Sequence, residues 1–201
     1  SYSQETAAEL KQLAADPNVR AIGECGLDYN RMYSTKDEQL RCFHGQLALA
    51  QETALPVFLH ERDAHADFIE IIRKHSGVGI VHCFTGGAAQ AKAYLDCGLY
   101  IGVTGWICDE RRNHDLLEAL PHIPLGRLMI ETDAPYLMPR DLDPKPKTQR
   151  NEPMHLAHIA AVIARCVEKP LTQLAQETTQ VAEAFFGLDA RPPSQENSAD
   201  S

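Results

Sequence analysis

The sequence predicts an α/β fold, a parallel sheet covered by helices, and two observations support this class. Short apolar runs alternate along the chain with stretches of helical periodicity. The runs are almost continuously apolar, which is typical of parallel strands buried on both faces. The predicted strands are VRAIGE (19–24), PVFLH (56–60), GIVHCF (79–84), LYIGVTG (99–105) and RLMIETD (127–133).

The stretches between these runs have the spacing of amphipathic helices. Residues 1–16 indicate a helix that Pro17 ends. Thr35 and Glu38 form a T-x-x-E capping box at the start of the next helix. Further helices are expected over 64–75, 87–97, 111–121 and 171–186, and Gly187 ends the last of them. A Pro-rich basic loop is expected over 134–150, and Asn151 is expected to cap the helix that follows it.

Alternation of strands and helices allows an open doubly wound sheet or a (β/α)8 barrel. The nucleotide-binding signatures G-x-G-x-x-G and G-x-x-x-x-G-K-[ST] are absent, which disfavours the first. Ionisable residues fall where the apolar runs end, which is where barrel enzymes place their active sites. We therefore expect a TIM barrel of the metal-dependent hydrolase type. It would be incomplete, because only five of the eight strands of such a barrel are visible. The barrel would form one domain over residues 1–187, followed by a disordered tail over 188–201.

Composition narrows the classes of function. With 201 residues, 44% of them hydrophobic and 23% charged, the chain has the make-up of one soluble domain. The absence of a long apolar run and of a signal-peptide pattern predicts a cytoplasmic protein without membrane association. A net charge of −9 argues against a broad basic surface for nucleic acid. The six cysteines form no C-x-x-C pair, so we expect reduced thiols and no zinc ribbon.

Four ionisable residues at the expected strand ends form the candidate site: Glu24, His60, His82 and Asp133. Burying one such group without a partner is costly, so four at equivalent positions call for a common partner. Two imidazoles and two carboxylates match the ligands of Zn²⁺, Mn²⁺ or, with water, Mg²⁺. We therefore predict a hydrolase with a catalytic divalent metal, in which Asp133 can also accept the proton of a metal-bound water.

The motifs around these residues resemble those of the TatD family of metal-dependent deoxyribonucleases. The resemblance rests on AIGECGLDYNR (21–31), PVFLHERDAH (56–65), VHCFTGG (81–87), YIGVTGWICDERR (100–112) and LMIETDAPYLMPRDLDPKPKTQRNEP (128–153). It implies a TIM-barrel nuclease that cleaves DNA, with 3′-to-5′ exonuclease action on single strands, activity on RNA, and a role in repair after oxidative damage. It implies Mg²⁺ or Mn²⁺ as the cofactor, with Zn²⁺ a candidate in crystals.

The resemblance also implies the roles of individual residues. The family's metal ligands correspond to Glu24, His60, His82 and Asp133, of which Glu24 and Asp133 are the implied catalytic residues. Family members begin with a strand that carries H-x-H, and their third strand ends in a G-x-H-P-type motif; neither is in this sequence. The five strands would then be strands four to eight, and we expect the intact protein to be a monomer.

Cations in the loops after the fourth and fifth runs predict where an anionic substrate binds. Such barrels bind phosphate on this side, so we expect contact with the backbone of single-stranded DNA or RNA, an ordinary solvated loop being the alternative. Trp106 and Tyr136 lie in the same loops and are candidates for stacking a base or for packing on the rim. The six predicted phosphate contacts are Arg111, Arg112, Arg140, Lys145, Lys147 and Arg150.

Two other functions are compatible with the sequence. One is a metal-dependent hydrolase of small esters or amides on the same barrel, against which the basic loops favour a nuclease. The other is an inactive truncated fragment, because missing barrel strands would expose unpaired strand edges. On this expectation the chain alone would have weak activity.

Overall fold

A computed structural model describes residues 2–188 and confirms the α/β class. The predicted disordered tail lies outside the described residues, apart from Leu188. Within residues 2–188, five parallel strands form one sheet in the order in which they follow each other along the chain. They are β1 (Ile22–Asp28), β2 (Val57–Arg62), β3 (Gly79–Val81), β4 (Tyr100–Val103) and β5 (Leu128–Ile130).

Helices connect the strands, as the periodicity predicts. The capping box of Thr35 and Glu38 is confirmed at the second helix, and Gly187 ends the last helix with a φ of +61°. Residues 134–150 contain neither helix nor strand. The α-helices of residues 2–188 are α1 (Gln4–Ala14), α2 (Lys36–Thr53), α3 (His65–Ile72), α4 (Ala88–Asp96), α5 (His114–Ala119), α6 (Leu156–Cys166) and α7 (Leu171–Phe186).

The predicted cap at Asn151 is wrong. Helix α6 begins only at Leu156, after a single 3-10 turn over Pro153–His155. The Asn151 amide instead donates to the carbonyls of Thr132, at 2.7 Å, and Leu137, at 3.2 Å. Asn151 therefore ties the far end of the loop to the segment after β5, because the carbonyls of an irregular loop need side-chain donors.

The first two strands end later than the sequence predicts. β1 continues past Glu24 to Asp28, and β2 continues past His60 to Arg62. The two strands stay paired because Gly26, at φ +152°, faces His60, where a Cβ would overlap the His60 carbonyl oxygen. The prediction that Glu24 and His60 lie at strand ends is therefore wrong: both lie within their strands.

The two faces of the sheet are covered differently. On one face, strand residues such as Leu59, Val81 and Ile101 join a large core with the helices. On the other face, Ile80 and Met129 pack against Phe185 of α7. Because side chains alternate along a strand, the residues two positions further on share this second face. They are His82 after Ile80 and Glu131 after Met129, so the second face is apolar at its amino end and polar at its carboxyl end.

In the part of the chain that the structure describes, no helix is both long enough and apolar enough to cross a membrane.

Candidate metal centre

Three of the four predicted ligands meet at one point. Glu24 Oε1 lies 2.9 Å from His60 Nδ1 and 2.8 Å from His82 Nε2. The three ligand atoms are all within 4.8 Å of one another. They come from β1, β2 and the end of β3, which are neighbours in the sheet, so the strand order itself brings them together. A carboxylate oxygen and two imidazole nitrogens at this spacing can hold a divalent cation.

Each imidazole also contacts a second carboxylate on its far side. His60 Nε2 lies 3.2 Å from Asp28 Oδ2, and His82 Nδ1 lies 3.2 Å from Glu131 Oε2. Each histidine thus presents one nitrogen to Glu24 and the other to an outer carboxylate. Metal-binding histidines have this arrangement, since the outer carboxylate orients the ring and makes it a better donor.

The roles of both outer carboxylates were not predicted from the sequence. Asp28 and Glu131 stand in the motifs GECGLD and IETD, so their residue types were visible. For Glu131 a usable signal was the alternation of side chains, which places it on the same face as Met129. For Asp28 there was none, because its position depends on the late end of β1.

Glu131 lies behind His82, and its side chain is 15% exposed. Burial raises its pKa, and the hydrogen bond to His82 opposes that rise. Its other oxygen, Oε1, has no hydrogen-bond partner among the described residues and lies against Gly102 of β4. A Cβ at Gly102 would overlap this oxygen, so glycine is needed there for the carboxylate to fit.

The charges of the site favour a cation. Hydrogen bonds from His60 and His82 hold the pKa of Glu24 well below its usual range. Burial lowers the pKa of His82, but hydrogen bonds to Glu131 and Glu24 outweigh that effect and raise it to about 10. The carboxylates of Glu24, Asp28 and Glu131 thus surround two imidazoles. A divalent ion would balance the negative charge that the histidines do not neutralise.

Asp133 lies in the same cleft but apart from the other three predicted ligands. It is not in either of the groups of donor atoms within 4.8 Å that residues 2–188 form. Asp133 follows β5 by three residues, with a φ of +55°. Burial raises its pKa, and the charge of Glu24 adds to that rise. The structure therefore supports Asp133 as a neighbour of the centre.

The cleft around the centre has a volume of about 790 Å³ and divides the predicted phosphate contacts into two sets. Arg111, Arg112 and Arg140 line it together with Glu24 and Asp133. The other three cations are exposed and are not among the residues that line this cleft: Lys145, Lys147 and Arg150.

Three of the five arginines that line the cleft share one carboxylate, that of Asp109. Its side chain is only 3% exposed, and both oxygens accept from Arg111, at 2.7 and 2.6 Å. Arg112 donates to it at 3.0 Å, and Arg140 lies 3.6 Å away. We call these four residues the arginine cluster; it carries a net charge of about +2 because Arg111 and Arg112 hold the pKa of Asp109 far below its usual range. The role of Asp109 was not predicted from the sequence, although Asp109 directly precedes E-R-R.

The two aromatic candidates differ in their surroundings. Trp106 is engaged within the protein: Arg112 stacks over its ring at 4.0 Å, and its indole N–H donates to the Arg112 carbonyl at 3.2 Å. Tyr136 is 70% exposed at the cleft. Stacking of a base stays a prediction for both, and of these two side chains that of Tyr136 is the more exposed.

The chain matches the family of TatD related DNases over residues 1–187. It is 50% identical over 190 residues to the 3′-5′ ssDNA/RNA exonuclease TatD of Erwinia amylovora and 49% identical over 193 residues to that of Klebsiella pneumoniae. These alignments cover 93% and 94% of this chain and 73% of each relative.

Solved structures of the same family have the same fold. YJJV, a TatD homolog from Escherichia coli, superposes with a TM-score of 0.80 at 28% identity, covering 92% of this chain and 71% of that one. A TatD family hydrolase from Entamoeba histolytica gives a TM-score of 0.82 at 28% identity, covering 92% and 69%.

Proposed function

We propose that this chain, which belongs to the TatD family of DNases, is a divalent-metal-dependent nuclease that removes nucleotides from the 3′ end of single-stranded DNA or RNA. The observation that carries the proposal is the Glu24 carboxylate between two imidazoles, each backed by a further carboxylate, in a cleft that arginines line. A relative that is 50% identical is a 3′-5′ exonuclease of single-stranded DNA and RNA, which supports these nucleic acids as the substrate class.

The residues of the centre fit a divalent cation of the Mg²⁺ or Mn²⁺ kind, with Zn²⁺ a further candidate in crystals. Glu24 Oε1, His60 Nδ1 and His82 Nε2 would hold it, and we propose Asp133 as the fourth ligand. The buried Oε1 of Glu131 supports this assignment, since a carboxylate without its full set of partners gains from a cation nearby.

The chemistry of hydrolysis assigns a role to Asp133. When bound, a divalent ion lowers the pKa of a water and polarises a phosphoryl oxygen. Asp133 is proposed to accept the proton of the attacking water, because its carboxylate lines the cleft and burial raises its pKa. Glu24 keeps its negative charge throughout, since both imidazoles hold its pKa low.

The arginine cluster supplies the contacts for the nucleic-acid backbone. Arg111, Arg112 and Arg140 line the cleft, and Asp109 holds them at fixed positions. A preorganised group of guanidinium ions binds phosphate oxygens with little loss of side-chain freedom. The acidic net charge of the whole chain then limits binding to this local positive site.

The test compares 3′-labelled single-stranded DNA and RNA with p-nitrophenyl esters, in Mg²⁺ or Mn²⁺ and then in EDTA. We expect loss of the 3′ label with either metal, none in EDTA, and none in His82→Asn. The exposed His122→Asn variant is the matched control. Cleavage of an ester while both nucleic acids stay intact would favour a hydrolase of small esters or amides, and inactivity on every substrate would favour the truncated fragment.

We also propose that the sheet is an arc of a (β/α)8 barrel, corresponding to strands four to eight. Five parallel strands in consecutive order support this, since that order is the one in which barrel strands follow each other. Extending the chain at its amino end with the strands of a TatD relative should raise nuclease activity; equal activity of both chains would count against it. The monomeric state and a role in oxidative-damage repair stay expectations from the resemblance, and a cytoplasmic location stays an expectation from the sequence pattern.

A further inference from the structure

A second group of ligand atoms lies outside the candidate metal centre. Cys108 ends a 3-10 turn after β4, Asp141 lies in the loop 134–150, and His158 lies in the first turn of α6. The Sγ, carboxylate and imidazole atoms of the three residues lie within 4.8 Å of one another. None of the three lines the cleft of the centre.

We propose that Cys108, Asp141 and His158 form a second metal site that takes Zn²⁺ or a similar thiophilic divalent ion. A thiolate, a carboxylate and an imidazole are the ligand types of protein zinc sites, with water as a fourth ligand. The thiolate distinguishes this site from the candidate metal centre, whose oxygen and nitrogen donors suit Mg²⁺ or Mn²⁺. The two sites are therefore expected to select different ions.

The spacing of the ligands is close to that of a bound ion. His158 Nε2 lies 2.7 Å from Asp141 Oδ1, so the two atoms already face each other. Ligands of a tetrahedral ion, each about 2.0–2.3 Å from it, are separated by a little more than this hydrogen bond. Moving the two side chains apart by less than an ångström would admit the ion. Both have room to move, since the side chain of His158 is 29% exposed and that of Asp141 is 38% exposed.

The charges balance at the same place. Burial and the neighbouring Asp141 both raise the pKa of Cys108, so its thiol keeps its proton when no cation is near. A divalent ion reverses this effect, because it stabilises the thiolate and releases the proton to solvent. The thiolate and the Asp141 carboxylate then carry two negative charges, which equal the charge of the ion.

A filled site would fasten three segments that are distant in sequence. Asp141 follows Arg140, and Cys108 precedes Asp109, so two of the three ligands are adjacent to members of the arginine cluster. The loop 134–150 has no helix or strand to hold it. An ion between this loop and α6 would limit the motion of the loop. The effect of that on nucleic-acid binding rests on the proposed function, whereas metal binding at Cys108, Asp141 and His158 is independent of it.

The test uses Co²⁺, whose bonds to thiolates give a charge-transfer absorption in the near ultraviolet, added to the full chain. We expect this band in the wild type and in His82→Asn, which alters only the candidate metal centre. Cys108→Ser should lose the band. Cys166→Ser is the matched control, because its thiol is the neighbour of Cys108, and it should keep the band.

A second variant keeps the test decisive if Cys108→Ser folds poorly. His158 is partly exposed, so His158→Asn should fold and weaken Co²⁺ and Zn²⁺ binding by more than about tenfold, since even a lost outer partner costs about 10- to 100-fold. His122→Asn, an exposed substitution elsewhere, should bind as the wild type does. A missing band in the wild type, a band that persists without Cys108, or unchanged affinity in His158→Asn would overturn the second site.

Discussion

Glu131 shows how much a single residue depends on what faces it. Its Oε2 contacts the Nδ1 of His82, which leaves the Nε2 of that ring to face Glu24. An imidazole has one donor and one acceptor nitrogen when neutral, so a carboxylate on Nδ1 determines which nitrogen remains free for a metal. Glu131 is therefore a positioning residue for His82.

Replacing Glu131 by Gln should weaken metal binding by about 10- to 100-fold, because the amide no longer fixes and polarises the imidazole. Isothermal titration with Mn²⁺ measures the affinity directly, apart from any turnover. Glu118→Gln, an exposed substitution on α5, is the control and should bind as the wild type does. Equal affinities in Glu131→Gln and wild type would exclude the positioning role.

The pH dependence of stability also belongs to single residues, and His82 gives its sign. Its pKa is about 10 in the fold and about 6.5 in an unfolded chain, so the folded state binds the extra proton between these values. The contribution of protonated His82 to the free energy of unfolding is complete below pH 6.5 and is lost as the pH rises toward 10. In EDTA, Tm should fall from pH 6.5 to 9 in the wild type and fall less in His82→Asn.

The same comparison has a limit at high pH. The thiols of Cys25 and Cys83 have pKa values raised to about 12, mainly by burial, and they lower the stability of the fold above about pH 8, where the same thiols ionise in the unfolded chain. Measurements from pH 6.5 to 8 therefore isolate His82. A slope in His82→Asn equal to that of the wild type would show that the imidazole stays neutral in the fold.

Among the secondary-structure elements, β4 shapes the site because its Gly102 has no side chain and so leaves room for the Glu131 carboxylate. Gly102 on β4 faces Glu131, which follows β5, and a Cβ at Gly102 would overlap the Oε1 of Glu131. Gly102→Ala should displace this carboxylate and lower Mn²⁺ affinity about as much as Glu131→Gln does. Gly126→Ala is the matched control, since a Cβ there meets nothing within 4 Å. Wild-type affinity in Gly102→Ala would contradict the close packing of these two strands.

The loop after β5 contains both kinds of predicted phosphate contact. Arg140 lines the cleft with the arginine cluster, whereas Lys147 is exposed away from it. Arg140→Gln should weaken single-stranded DNA binding and reduce the slope of log K against log salt by about 0.7–1, the value of one phosphate contact. Lys147→Gln should leave the slope near that of the wild type. Fluorescence anisotropy over a salt series measures both, and an equal loss in the two variants would show that the whole loop binds.

At the scale of the whole molecule, we expect metal binding to be linked to folding. The three proposed ligands Glu24, His60 and His82 come from β1, β2 and the end of β3, so they converge only when these strands are paired. An ion that binds the folded chain alone adds about 2.7 kcal/mol of stability at a concentration of 100 times its Kd. Mn²⁺ should therefore raise Tm in the wild type. The rise should disappear in His60→Asn, and a rise that survives there would place the stabilising ion elsewhere, for instance at the second site.

The sequence by itself determined the α/β class, the order of the elements and the residue types of the site. These follow from local information: the apolar runs of the strands, the helical spacing between them, and signals such as the capping box at Thr35. It also identified Glu24, His60 and His82 as candidates for one site, because parallel strands in consecutive order present their residues at one edge.

Only the tertiary structure decided how these groups pair. The late ends of β1 and β2, the contact of Glu131 with His82 across 49 residues, the shared carboxylate of Asp109 and the separation of Asp133 from the other ligands all depend on strand register and side-chain direction. The physical reason is that the role of a charged group depends on the atoms that surround it after folding, and residues distant in the chain supply those atoms.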